Sequence, residues 1–128
     1  MIRLINIKKF SDDRGSLSFL EGGNDIPFEI KRIYYLYHLN QAHRGFHAHK
    51  KLNQVAICVS GSCTFVLDNG REKQEVRLTK PNEGLFIDKM IWREMKDFSS
   101  DAVLLVLASE HYDESDYIRN YDEFLRLV

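Results

Sequence analysis

Arg44-Gly45-Phe46-His47-Ala48-His49 is the stretch on which the reading of this chain turns. It reads as a β-strand, and in a strand residues two apart point to the same face. His47 and His49 therefore share one face, and Phe46 and Ala48 share the other. Two imidazoles on one wall bind a metal, move protons, or sit as satisfied polar groups. The choice among these depends on residues further along the chain.

Outward from that strand the pattern is a succession of short strands. They are predicted at Ile2–Phe10, Gly15–Glu21, Lys31–Leu39, Gly45–Ala48, Gln54–Ser60, Ser62–Asp68, Arg71–Leu78, Gly84–Asp88, Trp92–Phe98 and Ala102–Ala108. Asp68-Asn69-Gly70 is a hairpin turn, because Asn-Gly tolerates the positive φ that a tight turn requires. Gly22-Gly23-Asn24-Asp25 and Lys80-Pro81-Asn82-Glu83-Gly84 are loops. Short strands joined by turns predict an all-β antiparallel sandwich or barrel. The tail differs: Tyr117, Ile118, Tyr121, Phe124, Leu125 and Val128 fall at helical spacing. One short C-terminal helix is predicted there, with Ser115 as N-cap and Asp116 in its first turn. No repeat or linker interrupts the chain, so one domain spanning residues 1–128 is expected.

Eighteen basic residues face nineteen acidic ones, so net charge gives no argument for nucleic acid or an anionic membrane. No apolar run has bilayer length, and Met1-Ile2-Arg3-Leu4 opens no signal-peptide core. A cytoplasmic protein is expected. Cys58 and Cys63 flank a predicted Ser60-Gly61 turn and read as two small, half-buried thiols. Their spacing does not make a zinc site.

A mononuclear metal site in a small β-barrel combines His-x-His with a following Glu and a distant His, the arrangement of cupins. Gly45 to Gly61 resembles the first cupin motif, but Gln54 occupies the Glu position. Ile91-Trp92-Arg93-Glu94-Met95 resembles the second, but Arg93 stands where the His would be. Arginine does not give up its charge to ligate a metal. With two of four ligands left, proton transfer without a metal is preferred over a metal centre or a structural role. A cation such as Arg93 or Arg44 would hold a histidine neutral and ready as a base. Further cations surround the His strand: Arg14 before Gly15, then Lys31, Arg32, Lys50 and Lys51. Arg suits a diphosphate because its planar fork donates two parallel hydrogen bonds. In the aromatic strand Ile33-Tyr34-Tyr35-Leu36-Tyr37, Tyr35 and Tyr37 share a face and Tyr34 points away. His38, His43 and His111 are assigned no chemistry.

Four segments together resemble the sugar 3,4-ketoisomerases, metal-free cupins of bacterial cell-surface sugar pathways. They are Asp13-Arg14-Gly15-Ser16-Leu17, Pro27 to Tyr35, Arg44 to Lys51, and Tyr112 to Arg119. The paired Arg-Gly elements are also similar to those of the deoxysugar 3,5-epimerases. The resemblance implies a cupin-type antiparallel jelly roll acting on thymidine-diphosphate-linked 4-keto-6-deoxyglucose. It needs no cofactor and no metal. It implies His47 and His49 as the catalytic pair, and Tyr35, with Tyr37 second, near the sugar. Arg14 and Arg44 are expected at the diphosphate, with Arg32, Lys31 and Arg93 as further substrate-binding residues. A homodimer with exchanged N-terminal strands is implied, the strand Ile2–Phe10 being the candidate. The chemistry fits: the C3 proton of a 4-keto sugar is α to the carbonyl, and a histidine base removes it to give an enediol(ate). The alternatives are a 3,5-epimerase, a metal-dependent cupin oxygenase and a non-catalytic nucleotide-sugar-binding cupin.

Overall fold

The alternating apolar residues of the strands close on one another as two facing antiparallel sheets. The computed structural model describes residues 1–128. Its strands are β1 (Arg3–Asn6), β2 (Lys9–Asp12), β3 (Gly15–Ser18), β4 (Arg32–Leu36), β5 (Arg44–His49), β6 (Gln54–Ser60), β7 (Cys63–Asp68), β8 (Lys73–Leu78), β9 (Glu83–Ile87), β10 (Trp92–Lys96), β11 (Val103–Ala108) and β12 (Tyr117–Ile118). One sheet has the order β1-β9-β6-β11-β4 and the other β12-β5-β10-β7-β8, while β2 and β3 pair only with each other. This is the cupin-type jelly roll expected from the sequence. No helix is long and apolar enough to cross a membrane.

Period-two patterning decides what fills the barrel. Ala56, Cys58, Leu85, Ile87, Leu104 and Val106 from the first sheet meet Cys63, Phe65, Leu67, Leu78 and Met95 from the second. Cys58 and Cys63 are free, buried thiols within that core. On the outside of the second sheet, Ala48, Trp92, Ile118 and Phe124 form a smaller cluster under the C-terminal helix α1 (Tyr121–Leu127).

Two predicted boundaries are corrected. The helix starts at Tyr121, where the Asn120 side chain accepts from the Glu123 N–H at 2.9 Å. Ser115 and Asp116 instead lie in a 3-10 turn (Glu114–Asp116) capped by Asp113, and Tyr117–Ile118 pairs with β5. Tyr117 and Ile118 keep a place in the apolar pattern, but as strand residues on opposite faces. The predicted strand Ile2–Phe10 is two strands. Arg3–Asn6 pairs with β9 of its own sheet, whereas Lys9–Asp12 turns back on Gly15–Ser18.

The register of β5 against β10 slips between Arg93↔His47 and Glu94↔Gly45, which leaves Phe46 as a bulged residue. Gly45 and Phe46 both have positive φ, 91° and 59°. A Cβ on Gly45 would stand 2.8 Å from the Arg93 carbonyl oxygen. Only glycine meets both demands. Gly45→Ala is expected to cost about 1–3 kcal/mol of stability, read by denaturant unfolding, because it combines a left-handed backbone with a backbone clash.

Candidate active site

Beyond the bulge, β5 resumes its alternation, so His47 and His49 both face the barrel interior and Ala48 faces α1. The two rings lie edge to face with centroids 4.9 Å apart. His49 is 1% exposed, whereas His47 is half-buried at the cavity wall.

Asp116 holds His49 in place. Its Oδ2 is 3.2 Å from His49 Nδ1, and its Oδ1 accepts from the Lys51 backbone N–H at 2.8 Å. A carboxylate accepts, so the neutral ring carries its proton on Nδ1. Nε2 is then a free lone pair, and it is buried with no hydrogen-bond partner. Tyr117 covers the pair, its ring 4.4 Å from His49 and 5.1 Å from His47. The guanidinium of Arg119 lies 4.2 Å above the Tyr117 ring and is clamped by Glu114.

A second chain of contacts runs from Arg93 to Gln54 to Tyr34. Arg93 is 2% exposed and Gln54 3%. Arg93 donates to Gln54 Oε1 and, at 2.7 Å, to the Ile91 carbonyl. An arginine only donates, so the Gln54 oxygen must face it and the Gln54 nitrogen must face away. That nitrogen donates to the Tyr34 hydroxyl oxygen at 2.7 Å. The Tyr34 proton is thereby free to point elsewhere. Burial pushes the Tyr34 pKa up, so the hydroxyl stays protonated.

These contacts set the charge state of the site. Burial, and next the Arg93 guanidinium, push His47 down to about 4 and His49 down to about 2. Both imidazoles are therefore neutral at physiological pH. Burial lowers Arg93 as well, to about 10, which leaves it charged.

A cavity of about 270 Å³ opens above His47, walled by Tyr34, Tyr117, Arg32, Arg44 and Arg119. Below it lies a void of about 20 Å³ that is lined mainly by apolar side chains, with His47, Tyr34, Gln54 and Arg93 supplying its polar wall. The structure thus brings together His47, His49, Arg32, Arg44 and Arg93 of the predicted set. It does not bring the others there. Tyr35 and Tyr37 are 60% and 57% exposed on the outer face of the first sheet. The inward face of β4 carries Arg32, Tyr34 and Leu36, so Tyr34 is the tyrosine of the cavity. Lys31 pairs with Glu110 at 3.5 Å outside the cavity wall. Arg14 is on the β2–β3 turn and pairs with Asp12. Asp116, Arg119, Tyr117 and Tyr34 went unassigned in the sequence. Asp116 was hidden by its reading as a helix-start residue, and Tyr34 by the choice of the wrong strand face.

The residues do not fit the metal that many cupins carry. Gln54 and Arg93 occupy two ligand positions, and no three His, Cys, Asp or Glu side chains gather as a metal site.

Comparison with known proteins places the chain. The FdtA family model (WxcM-like, C-terminal) matches residues 1–128. A TDP-4-oxo-6-deoxy-alpha-D-glucose-3,4-oxoisomerase of Aneurinibacillus thermoaerophilus is 51% identical over 98% of this chain and 91% of its own length. A 3,4-ketoisomerase from Helicobacter canadensis is 54% identical, covers 98% of this chain and 96% of its own, and superposes with a TM-score of 0.96. A sugar 3,4-ketoisomerase from Thermoanaerobacterium thermosaccharolyticum, solved with TDP, is 48% identical over 98% and 93% of the two chains at a TM-score of 0.96. A His-to-Asn variant of that enzyme is solved with TDP-4-keto-6-deoxyglucose. The chain belongs to the FdtA family of sugar 3,4-ketoisomerases.

Asp116→Ala strips the acceptor from a buried Nδ1–H. A stability loss of about 1–3 kcal/mol is expected on denaturant unfolding. Loss of the single His49 tautomer in ¹⁵N NMR is expected with it.

Proposed function

We propose that this protein converts a TDP-linked 4-keto-6-deoxyglucose to a TDP-linked 3-keto-6-deoxyhexose by moving a proton between C3 and C4. The observation that carries this reading is a neutral imidazole, His47, at the wall of an arginine-rimmed cavity with a buried guanidinium beside it. The Aneurinibacillus thermoaerophilus relative is named for TDP-4-oxo-6-deoxy-alpha-D-glucose, and the Thermoanaerobacterium thermosaccharolyticum enzyme is solved with TDP and, as a variant, with TDP-4-keto-6-deoxyglucose.

In the mechanism, His47 removes the C3 proton, which the adjacent C4 carbonyl acidifies. The electron pair forms the C3–C4 double bond, and the C4 oxygen takes the negative charge. Return of a proton to carbon C4, together with transfer of the C3 hydroxyl proton to the C4 oxygen, leaves the ketone at C3 and a hydroxyl at C4. Carbon oxidation states exchange between two atoms of one molecule, so the reaction balances without an external oxidant. His49, buried behind His47 and backed by Asp116, is the second proton-transfer group: its Nε2 lone pair accepts, and Asp116 offsets the charge that results. Tyr34 donates to a sugar oxygen. Arg32, Arg44 and Arg119 ring the mouth and suit the diphosphate.

The outer face of the first sheet supports a homodimer. Ile33, Tyr35, Tyr37 and Val59 are exposed there, and Phe10, Leu17 and Phe19 are exposed on and beside the β2–β3 hairpin. So much contiguous apolar surface marks a protein contact. The hairpin has no partner strand in its own chain, which makes Lys9–Ser18, rather than Ile2–Phe10, the segment to be lent to a second subunit. Arg14 sits at its tip, and its predicted diphosphate role depends on reaching the partner's cavity.

The functional reading is tested by incubation with the 4-keto sugar nucleotide in D₂O and NMR of the ring. Deuterium at C3 or C4 with a new C3 ketone is expected. Label at C5 with the ketone still at C4 would instead indicate an epimerase. His47→Asn should lower kcat by roughly 10²–10⁴-fold. A base pushed down to about 4 keeps kcat/KM level across neutral pH and loses it only as pH falls through about 4. An unperturbed imidazole would place that fall near about 6.5. For the assembly, Ile33→Asp should give a monomer by light scattering coupled to size exclusion.

A further inference from the structure

The mismatch between this site and a cupin metal centre has a chemical meaning. Arg93 carries a charge in the barrel interior, yet forms no ion pair. The acceptors it engages, Gln54 Oε1 and the Ile91 carbonyl, are both neutral. Its Nε is buried with no partner. The nearest carboxylate of the site, Asp116, is committed to His49 and the Lys51 N–H. An uncompensated buried charge is costly to a fold. Its surroundings therefore point to a negative charge that is present only during the reaction.

The void beside it has a matching size. At about 20 Å³ it holds one oxygen-sized group and no more. It lies beneath the sugar-sized cavity and shares His47 and Tyr34 with it. A ketone oxygen entering the void would share it with the Tyr34 hydroxyl and the Arg93 guanidinium, and His47 belongs to the wall common to void and cavity.

We infer that Arg93 is a catalytic residue: with Tyr34 it forms an oxyanion hole for the C4 oxygen of the enediolate, from a position that belongs to a metal ligand in metal-binding cupins. The guanidinium supplies the fixed positive charge that an electrophilic metal supplies elsewhere. Gln54 aims it, because an amide at this position accepts from Arg93 without neutralising it. A carboxylate in its place would quench the charge. This inference rests on the ketoisomerase reading.

Two variants test it. Gln54→Glu keeps the shape and gives Arg93 a counter-ion, whereas Arg93→Met removes the charge and approximates the volume. Each is assayed for kcat and KM on the 4-keto sugar nucleotide, TDP binding by calorimetry, and the pH profile of kcat/KM. A drop of roughly 10²–10³-fold in kcat is expected for both, with KM and TDP affinity within a few-fold of wild type. His47 is faced by Arg93 from β10, His49 on its own strand, Tyr34 from β4, Tyr117 from β12, and Arg119 and Glu114 at the mouth. Only the first changes in Arg93→Met, so the acid limb of its profile should move to higher pH. That limb reads the guanidinium's charge at His47, and the loss of kcat at unchanged KM and TDP affinity reads the oxyanion.

The inference is overturned if either folded variant keeps wild-type kcat. It is also overturned if the whole loss lies in KM and TDP binding, or if both variants unfold, since the pair would then be structural. Wild-type protein in the same D₂O assay separates the two levels. Absence of ring labelling there would sink the ketoisomerase reading itself. Normal wild-type labelling with undiminished variants would sink only the role of Arg93.

Discussion

The pairing of β5 with β10 is the constraint on which this site depends. It sets Arg93 opposite His47 across two hydrogen-bonded strands inside a closed apolar barrel. Burial keeps both imidazoles unprotonated, and a guanidinium in that position works in the same direction. The bulge at Phe46 makes the pairing possible. It lets the chain turn over Arg93 through Gly45 and then resume an alternation that sends two histidines inward and Ala48 outward.

The chemistry follows from the direction of hydrogen bonds as much as from distances. Arg93 cannot accept, so it orients the Gln54 amide. The amide nitrogen then occupies the Tyr34 oxygen and frees the phenolic proton. On the other side, the Asp116 carboxylate fixes the His49 proton on Nδ1 and frees Nε2. In the proposed reaction, one chain would supply donors to the developing oxyanion and the other a proton acceptor. Both use neutral or charge-balanced groups except at Arg93, where the positive charge stands alone.

Much of this was legible in the primary structure. Turn residues and period-two strands were enough for the barrel, since they describe local geometry that burial enforces. The His-x-His wall, Gln54 and Arg93 were legible because each departs from or matches a ligand pattern at fixed spacing. The errors have separate physical origins. Tyr34, Tyr35 and Tyr37 are adjacent on a strand whose two faces are both apolar, one packed in the barrel and one on the outside. Alternation alone does not say which face is inner. Asp116 and Tyr117 fell within a stretch of helical spacing that is in fact a 3-10 turn, a two-residue strand and a short helix. The pairing of β12 with β5 overrode local periodicity there. Arg14 lies at the tip of a hairpin whose two strands pair only with each other, and its side chain engages Asp12, so alternation within the barrel strands says nothing of its place.

The claim that a neutral His47 lifts the hydrogen from C3 is tested most directly with substrate deuterated at C3. The account predicts a slowed kcat/KM relative to protiated substrate, with the label leaving C3 and appearing at C4 or in solvent while C5 stays untouched. Deuterium that remains on C3 through turnover, with no isotope effect, would contradict it.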